Sequence, residues 1–375
     1  MEKKKIKIWL QYPRKFPDSP YYKYLVESPP QEVKYLNAEI QKGVVIDKRK
    51  GFMSNSLKQQ IRDIIGFFRL PIPNLHFTRT KKNYDLIHCA HCISGNKFPW
   101  VADFESSWQI FASGRTTFLG QKIIEKLLKN KYCKKIIAWT ESTKKEFLKI
   151  FPNLEGKIGV IYPAVPMQKN RRKKGKNILL LFVGRYFYAK GGHHVLKIMD
   201  DLTQKYSNVK GIMVSEIPED IKKKYSRNKK IEFASLMPQK DLFDKIYSKA
   251  DIFLYPGYSD TFGFSILEAM SFGIPVITAD GFARKELIEN GKTGFVAEAE
   301  EKRDWERDYL KIKEEGKIIK SMTASTEKLI INKRLRKKMS KNCIEIIKNG
   351  KFSIKERNKK LRKVYEEALK QEITK

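Results

Sequence analysis

Two carboxylates and two cations carry the chemistry that this sequence offers. Asp260 and Glu268 lie in YPGYSDTFGFSILEAMSFGIPVIT, residues 255–278. An ionised carboxylate accepts hydrogen bonds from sugar hydroxyls. Between the two, Gly263 and Phe264 stand at the start of FSILEAMSF, an apolar run stopped by Gly273 and Pro275. That pattern predicts a short helix. Its free N–H groups and positive dipole end favour an anionic group such as phosphate. Earlier, NILLLFVGRYFYAKGG places Gly184, Arg185 and Lys190 just after an apolar run. Arg185 offers a planar fork and Lys190 a point charge, a pair able to clamp a diphosphate. Hydroxyl-binding carboxylates beside phosphate-binding groups fit a nucleotide-sugar.

The elements that must hold these groups follow from the same stretches. DIFLYP reads as a strand, residues 257–263 as a turn, FSILEAMSF as a helix and IPVIT as a second buried strand. Strand–turn–helix–strand is half of a doubly wound α/β unit, in which ligands sit where strand ends open onto a helix start. The competing reading is an ordinary crossover with Glu268 merely solvated.

These residues resemble the E-x7-E region of retaining GT-B glycosyltransferases of family 4, the glycosyl transferases group 1. Asp260 stands where that pattern has its first Glu, and Glu268 matches the second. Gly184, Arg185, Lys190 and Gly191 match its V-G-R-x-x-x-x-K-G segment, and Glu286 matches a later Glu, with Phe282 in place of the usual second Gly. The resemblance implies two Rossmann-like domains with parallel sheets facing across a cleft. It implies donor contacts along Asp260, Thr261, Phe262, Gly263, Phe264 and Glu268, with Leu236 and Met237 near the donor base. Arg185, Lys190 and Asp260 would serve catalysis. The implied reaction moves a sugar from a nucleoside-diphosphate sugar to a hydroxyl acceptor, with retention and without a metal cofactor.

The preceding half of the chain resembles the family less. PWVADFESS, residues 99–107, reads as a strand ending in acids where the family commonly has a His near the acceptor. Asp103 as a catalytic group, or Glu105 on the acceptor side, could orient or deprotonate an acceptor hydroxyl; they could equally cap a loop or pair with Arg115. The glycine-rich acceptor loop of the family is absent. Cys89 and Cys92 have a zinc-ligand spacing, with His88 and His91 alongside, but no second pair follows. Buried thiols at a strand end are the preferred reading. His193 and His194 are read as a helix start without chemistry. Residues 56–70, SLKQQIRDIIGFFRL, carry apolar residues at helical spacing. They read as a core-facing helix or as a helix lying on a membrane interface. The expected division is 1–167, a basic linker at 168–176, and 177–352, with 353–375 crossing back onto the first domain.

Composition bounds the partners. At 375 residues with 41% hydrophobic content, the chain can bury two cores and is not a disordered protein. Its net charge of +35, from 77 basic and 42 acidic residues, favours an anionic partner or simply a Lys-rich solvated surface. A nucleic-acid-binding protein is the reading from another class, and an inactive scaffold or a phosphorylase of the same fold are further ones. Basic residues spread without aromatic interleaving disfavour nucleic acid. Four cysteines are too few for a disulfide framework, so a cytoplasmic chain is expected. No stretch nears the ~18 apolar residues of a spanning helix. Membrane contact, for a lipid-linked acceptor, would then be peripheral.

Overall fold

The computed structural model describes residues 5–11, 20–37, 72–112, 117–168, 175–298 and 316–373. Residues 12–19, the amphipathic stretch 56–70, Arg115 and most of the basic linker lie outside the described residues. The chain divides into two compact units, Met1–Ala164 with Ile354–Lys375, and Val165–Ser353.

In the first unit the strands are β1 (Ile6–Gln11), β2 (Val33–Tyr35), β3 (Leu75–His76), β4 (Leu86–Ala90), β5 (Ile93–Ser94), β6 (Trp100–Phe104), β7 (Cys133–Ala138) and β8 (Ile158–Val160). Six form a sheet ordered β2-β1-β4-β6-β7-β8, every neighbouring pair parallel. All residues of β4 and β6 are buried. Strands covered on both faces do not alternate apolar with polar, and LIHCA and WVADF are apolar but for His88 and Asp103, which pair with each other. One side of the sheet packs on Phe147 and Phe151 of the Glu141–Ile150 helix region and on Ile124 and Leu128 of the Phe118–Lys129 helix. The last helix, Ile354–Ile373, belongs to this unit and buries Leu361 and Tyr365. There Arg357 donates through Nη2 to the Ser28 carbonyl at 2.6 Å.

The second unit has β9 (Ile178–Val183), β10 (Val209–Val214), β11 (Ile231–Ala234), β12 (Ile252–Leu254), β13 (Val276–Ala279) and β14 (Gly294–Ala297). Its sheet is ordered β11-β10-β9-β12-β13-β14, again wholly parallel. Taken in chain order this is the 3-2-1-4-5-6 arrangement of a dinucleotide-binding fold. The strand order reverses between β9 and β12. In open α/β sheets, ligands bind at the carboxyl ends of the strands at such a reversal.

Candidate functional site

The loops that flank this reversal are the two singled out in the sequence. After β9, Gly184 passes close to Lys190; a Cβ there would lie 3.1 Å from the Lys190 Cβ and from the Phe182 ring. The loop closes in a left-handed residue, Gly191, at φ 79°, which caps the Gly192–Lys205 helix. A side chain at Gly191 would strike Pro256 at 2.6 Å. The two loops therefore pack closely, and main-chain hydrogen bonds stitch them together. Gly257 N donates to the Lys190 carbonyl at 3.1 Å and Ser259 N to the Ala189 carbonyl at 2.9 Å. Lys190 Nζ donates back to the Ser259 carbonyl at 2.8 Å and stands 3.4 Å from Asp260 Oδ1.

Asp260 is held on its other oxygen by the Tyr255 hydroxyl at 2.5 Å. Burial, and then the Asp260 charge, push the Tyr255 phenol well above its ordinary range, so it stays a donor. The Asp260 carbonyl accepts from Arg284 Nη1 at 2.8 Å. Gly263, left-handed at φ 95°, starts the Phe264–Ser271 helix, and Ile266 N donates to its carbonyl. Glu268 sits one turn into this helix, 7% exposed, with Oε1 accepting from Gln239 Nε2 at 2.6 Å. Gln239 follows the carboxyl end of β11, so three strand ends contribute to one locality.

The remaining expected contacts divide. Arg185 is exposed, Thr261 and Phe264 are half-buried, Leu236 is exposed and Met237 half-buried. Phe262 is 1% exposed, its ring 4.9 Å from that of Phe264. Its side chain is core, so a donor contact there is limited to main chain. Tyr255, Gln239 and Arg284 were not anticipated. Tyr186 and Tyr188, exposed on the Arg185 loop, were not either. Tyr255 and Gln239 had only one signal, their position at strand ends.

In the first unit Asp103 is 0% exposed. It accepts from the Tyr22 hydroxyl at 2.8 Å and lies 2.8 Å from His88 Nε2 and 3.7 Å from His91 Nδ1. His88 Nδ1 meets the Tyr365 hydroxyl at 2.7 Å, which meets Tyr35 at 3.0 Å. Burial by itself would raise the Asp103 pKa, but the hydrogen bond and charge of His88, and then His91 and Tyr22, bring it below the ordinary carboxylate value. In this structure the Asp103 carboxylate is thus engaged inside a buried polar network. Glu105 is half-buried, its N–H on Gln109 Oε1 at 2.9 Å and its carbonyl accepting from Thr143. His91, at φ 54° directly after β4, is pushed down to about 4 by burial. Cys89 and Cys92 are buried free thiols. Among the described residues no group of three or more His, Cys, Asp or Glu is placed to hold a metal ion.

Residues 166–345 match the family model described as glycosyl transferases group 1. The chain is 27% identical over 244 residues to an uncharacterized glycosyltransferase of Methanocaldococcus jannaschii, which is 56% of this chain and 62% of that protein. It is 26% identical over 189 residues to one of Haemophilus influenzae, covering 48% and 53%. It therefore spans little more than half the length of these relatives. Among solved structures, a glycosyltransferase from Rickettsia africae aligns over 98% of this chain and 99% of its own at TM-score 0.64 and 16% identity. Anabaena HepE, in complex with UDP-glucose, aligns over 96% and 99% at TM-score 0.61 and 14% identity. At these identities the likeness shows the fold, two parallel-sheet α/β domains of the GT-B kind.

Proposed function

We propose that this chain, whose residues 166–345 belong to the glycosyl transferases group 1, moves a sugar from a nucleoside-diphosphate sugar to a hydroxyl acceptor. One observation carries the reading: Lys190 and Asp260 are fixed 3.4 Å apart at the strand-order reversal. A cation for phosphate and a carboxylate for sugar hydroxyls are there side by side.

In this reading Arg185 and Lys190 neutralise the diphosphate as it leaves, with the N–H groups of Gly263 and Phe264 assisting. Such groups are aimed in advance at charge that grows in the transition state. Glu268, oriented by Gln239, accepts from the donor ribose. Asp260 accepts from the transferred sugar. Leaving and attack on the same face give retention, and the positive side chains with the helix end take the part a metal would otherwise play. Leu236 and Met237 face the base, and Glu105 remains the acceptor-side carboxylate. The UDP-glucose found in the HepE structure supports a nucleotide-sugar donor. The net charge of +35 supports an acceptor at an anionic, cytoplasmic membrane surface, such as a lipid-linked glycan precursor. None of the described helices is long and apolar enough to cross a membrane.

Release of nucleoside diphosphate from UDP-, GDP- and ADP-sugars, with and without membrane lipid extract as acceptor, tests this. Arg185→Ala and Lys190→Ala should each lower turnover by roughly 10²–10³-fold. Turnover unchanged in both variants would remove the proposed leaving-group role.

A further inference from the structure

We infer that Arg284 is a positioning residue that sets where the Asp260 carboxylate stands for the transferred sugar, and that Phe282 is its cap. The inference rests on the donor-site reading above.

Arg284 is 0% exposed. Its two hydrogen-bond partners are main-chain oxygens: Nη1 donates to Asp260 at 2.8 Å and Nε to Ala279 at 3.0 Å. The guanidinium therefore ties the turn after β12 to the end of β13. Nη2 is buried and has no hydrogen-bond partner among the described residues. A buried cation with an unsatisfied donor is costly, and a surface ion pair could not replace it. Burial also pushes this guanidinium down to about 10, opposed first by the Asp260 charge.

Two departures from the family pattern meet at this side chain. Asp260 is one methylene shorter than the Glu it replaces, so its reach is set by where its backbone is held. Arg284 holds that backbone, while Tyr255 and Lys190 hold the carboxylate. Phe282 stands where the pattern has Gly. It keeps a left-handed φ of 43°, a conformation unfavourable for an aromatic residue. Its ring centroid lies 5.5 Å from Arg284 Cζ. A cation is attracted to an aromatic face, most strongly when desolvated. This contact offsets the backbone strain and screens the guanidinium from water. The shortened carboxylate and the strained aromatic are linked through one arginine.

The test compares calorimetric affinities of the full chain for UDP, GDP and ADP with those for the matching nucleotide-sugars. The readout is the gain in affinity that the sugar brings. Arg284→Met should cut that gain about tenfold, as should Asp260→Asn, while the bare nucleoside diphosphate keeps its affinity within about twofold. Arg284→Lys, which can reach one carbonyl, should recover part of the gain. Phe282→Gly should lose part of it. The double variant Asp260→Asn/Arg284→Met should lose no more than either single one, because the two act through one contact. Equal weakening of the diphosphate and its sugar conjugate, or a wild-type gain in Arg284→Met, overturns the inference. Should Arg284→Met not fold, Arg284→Lys carries the same comparison. A wild type that binds nucleoside diphosphate but gains nothing from any sugar overturns the inference and the Asp260–sugar contact, and leaves the nucleotide site standing. A wild type that binds no nucleotide removes the donor-site reading and the inference with it.

Discussion

His91 and Asp103 make the clearest residue-scale case of chemistry decided by surroundings. Both are held inside the first unit's polar network, and both have depressed pKa values. For His91 the folded value is about 4, against about 6.5 for an exposed imidazole. The unfolded chain therefore binds a proton that the folded chain refuses between those values. Stability is full above about pH 6.5 and falls as pH drops toward 4, by on the order of 3 kcal/mol. Asp103 adds a second loss at lower pH, below the ordinary carboxylate value and through its own depressed one. Unfolding midpoints measured from pH 7 to 4 should fall, and His91→Gln should flatten the slope. An unchanged slope in that variant would show that His91 is not the group responsible. None of this was legible in the sequence. Asp103 at a strand end reads as a catalytic acid or a loop cap, and one link of its network joins His88 to Tyr365 across 277 residues. Arg284 was hidden for a related reason: one cation among 77 looks like surface.

At the scale of elements, the donor-side loops were legible because backbone geometry leaves few residue choices. Gly263 and Gly191 occupy left-handed positions, and Gly184 a close approach, so glycine is required and its spacing shows. Helix stops and buried strands around them follow ordinary rules. What spacing could not give was the stitching between the two loops, which depends on main-chain hydrogen bonds 67 to 70 residues apart, Gly257 to Lys190 and Ser259 to Ala189. Gly191→Ala tests that stitching. It combines left-handed strain with a 2.6 Å approach to the Pro256 ring, which has little freedom to move. Destabilisation of roughly 2 kcal/mol is expected, with weakened nucleotide affinity. Denaturant unfolding followed in parallel with nucleotide binding reads both. Full stability and affinity in Gly191→Ala would mean that the loops do not depend on their contact.

For the whole molecule, charge and the donor site make separable demands. A net charge of +35 acts over a Debye length, which is about 8 Å at physiological salt and about 3 Å at 1 M. Association with vesicles containing anionic lipid should therefore appear at physiological salt and vanish at 1 M. A chain that ignores such vesicles at physiological salt would contradict the membrane-surface acceptor. Donor binding, which the proposed function rests on Lys190, 16% exposed, and on the buried Glu268, should by contrast persist. The most direct measurement is the unfolding midpoint of wild type and Glu268→Ala against a panel of UDP-, GDP- and ADP-sugars. At 100 times its dissociation constant a ligand stabilises by about 2.7 kcal/mol. One nucleotide-sugar should raise the wild-type midpoint and leave Glu268→Ala unmoved. No shift with any donor, or the same shift in both proteins, would contradict a nucleotide-sugar site in the second unit.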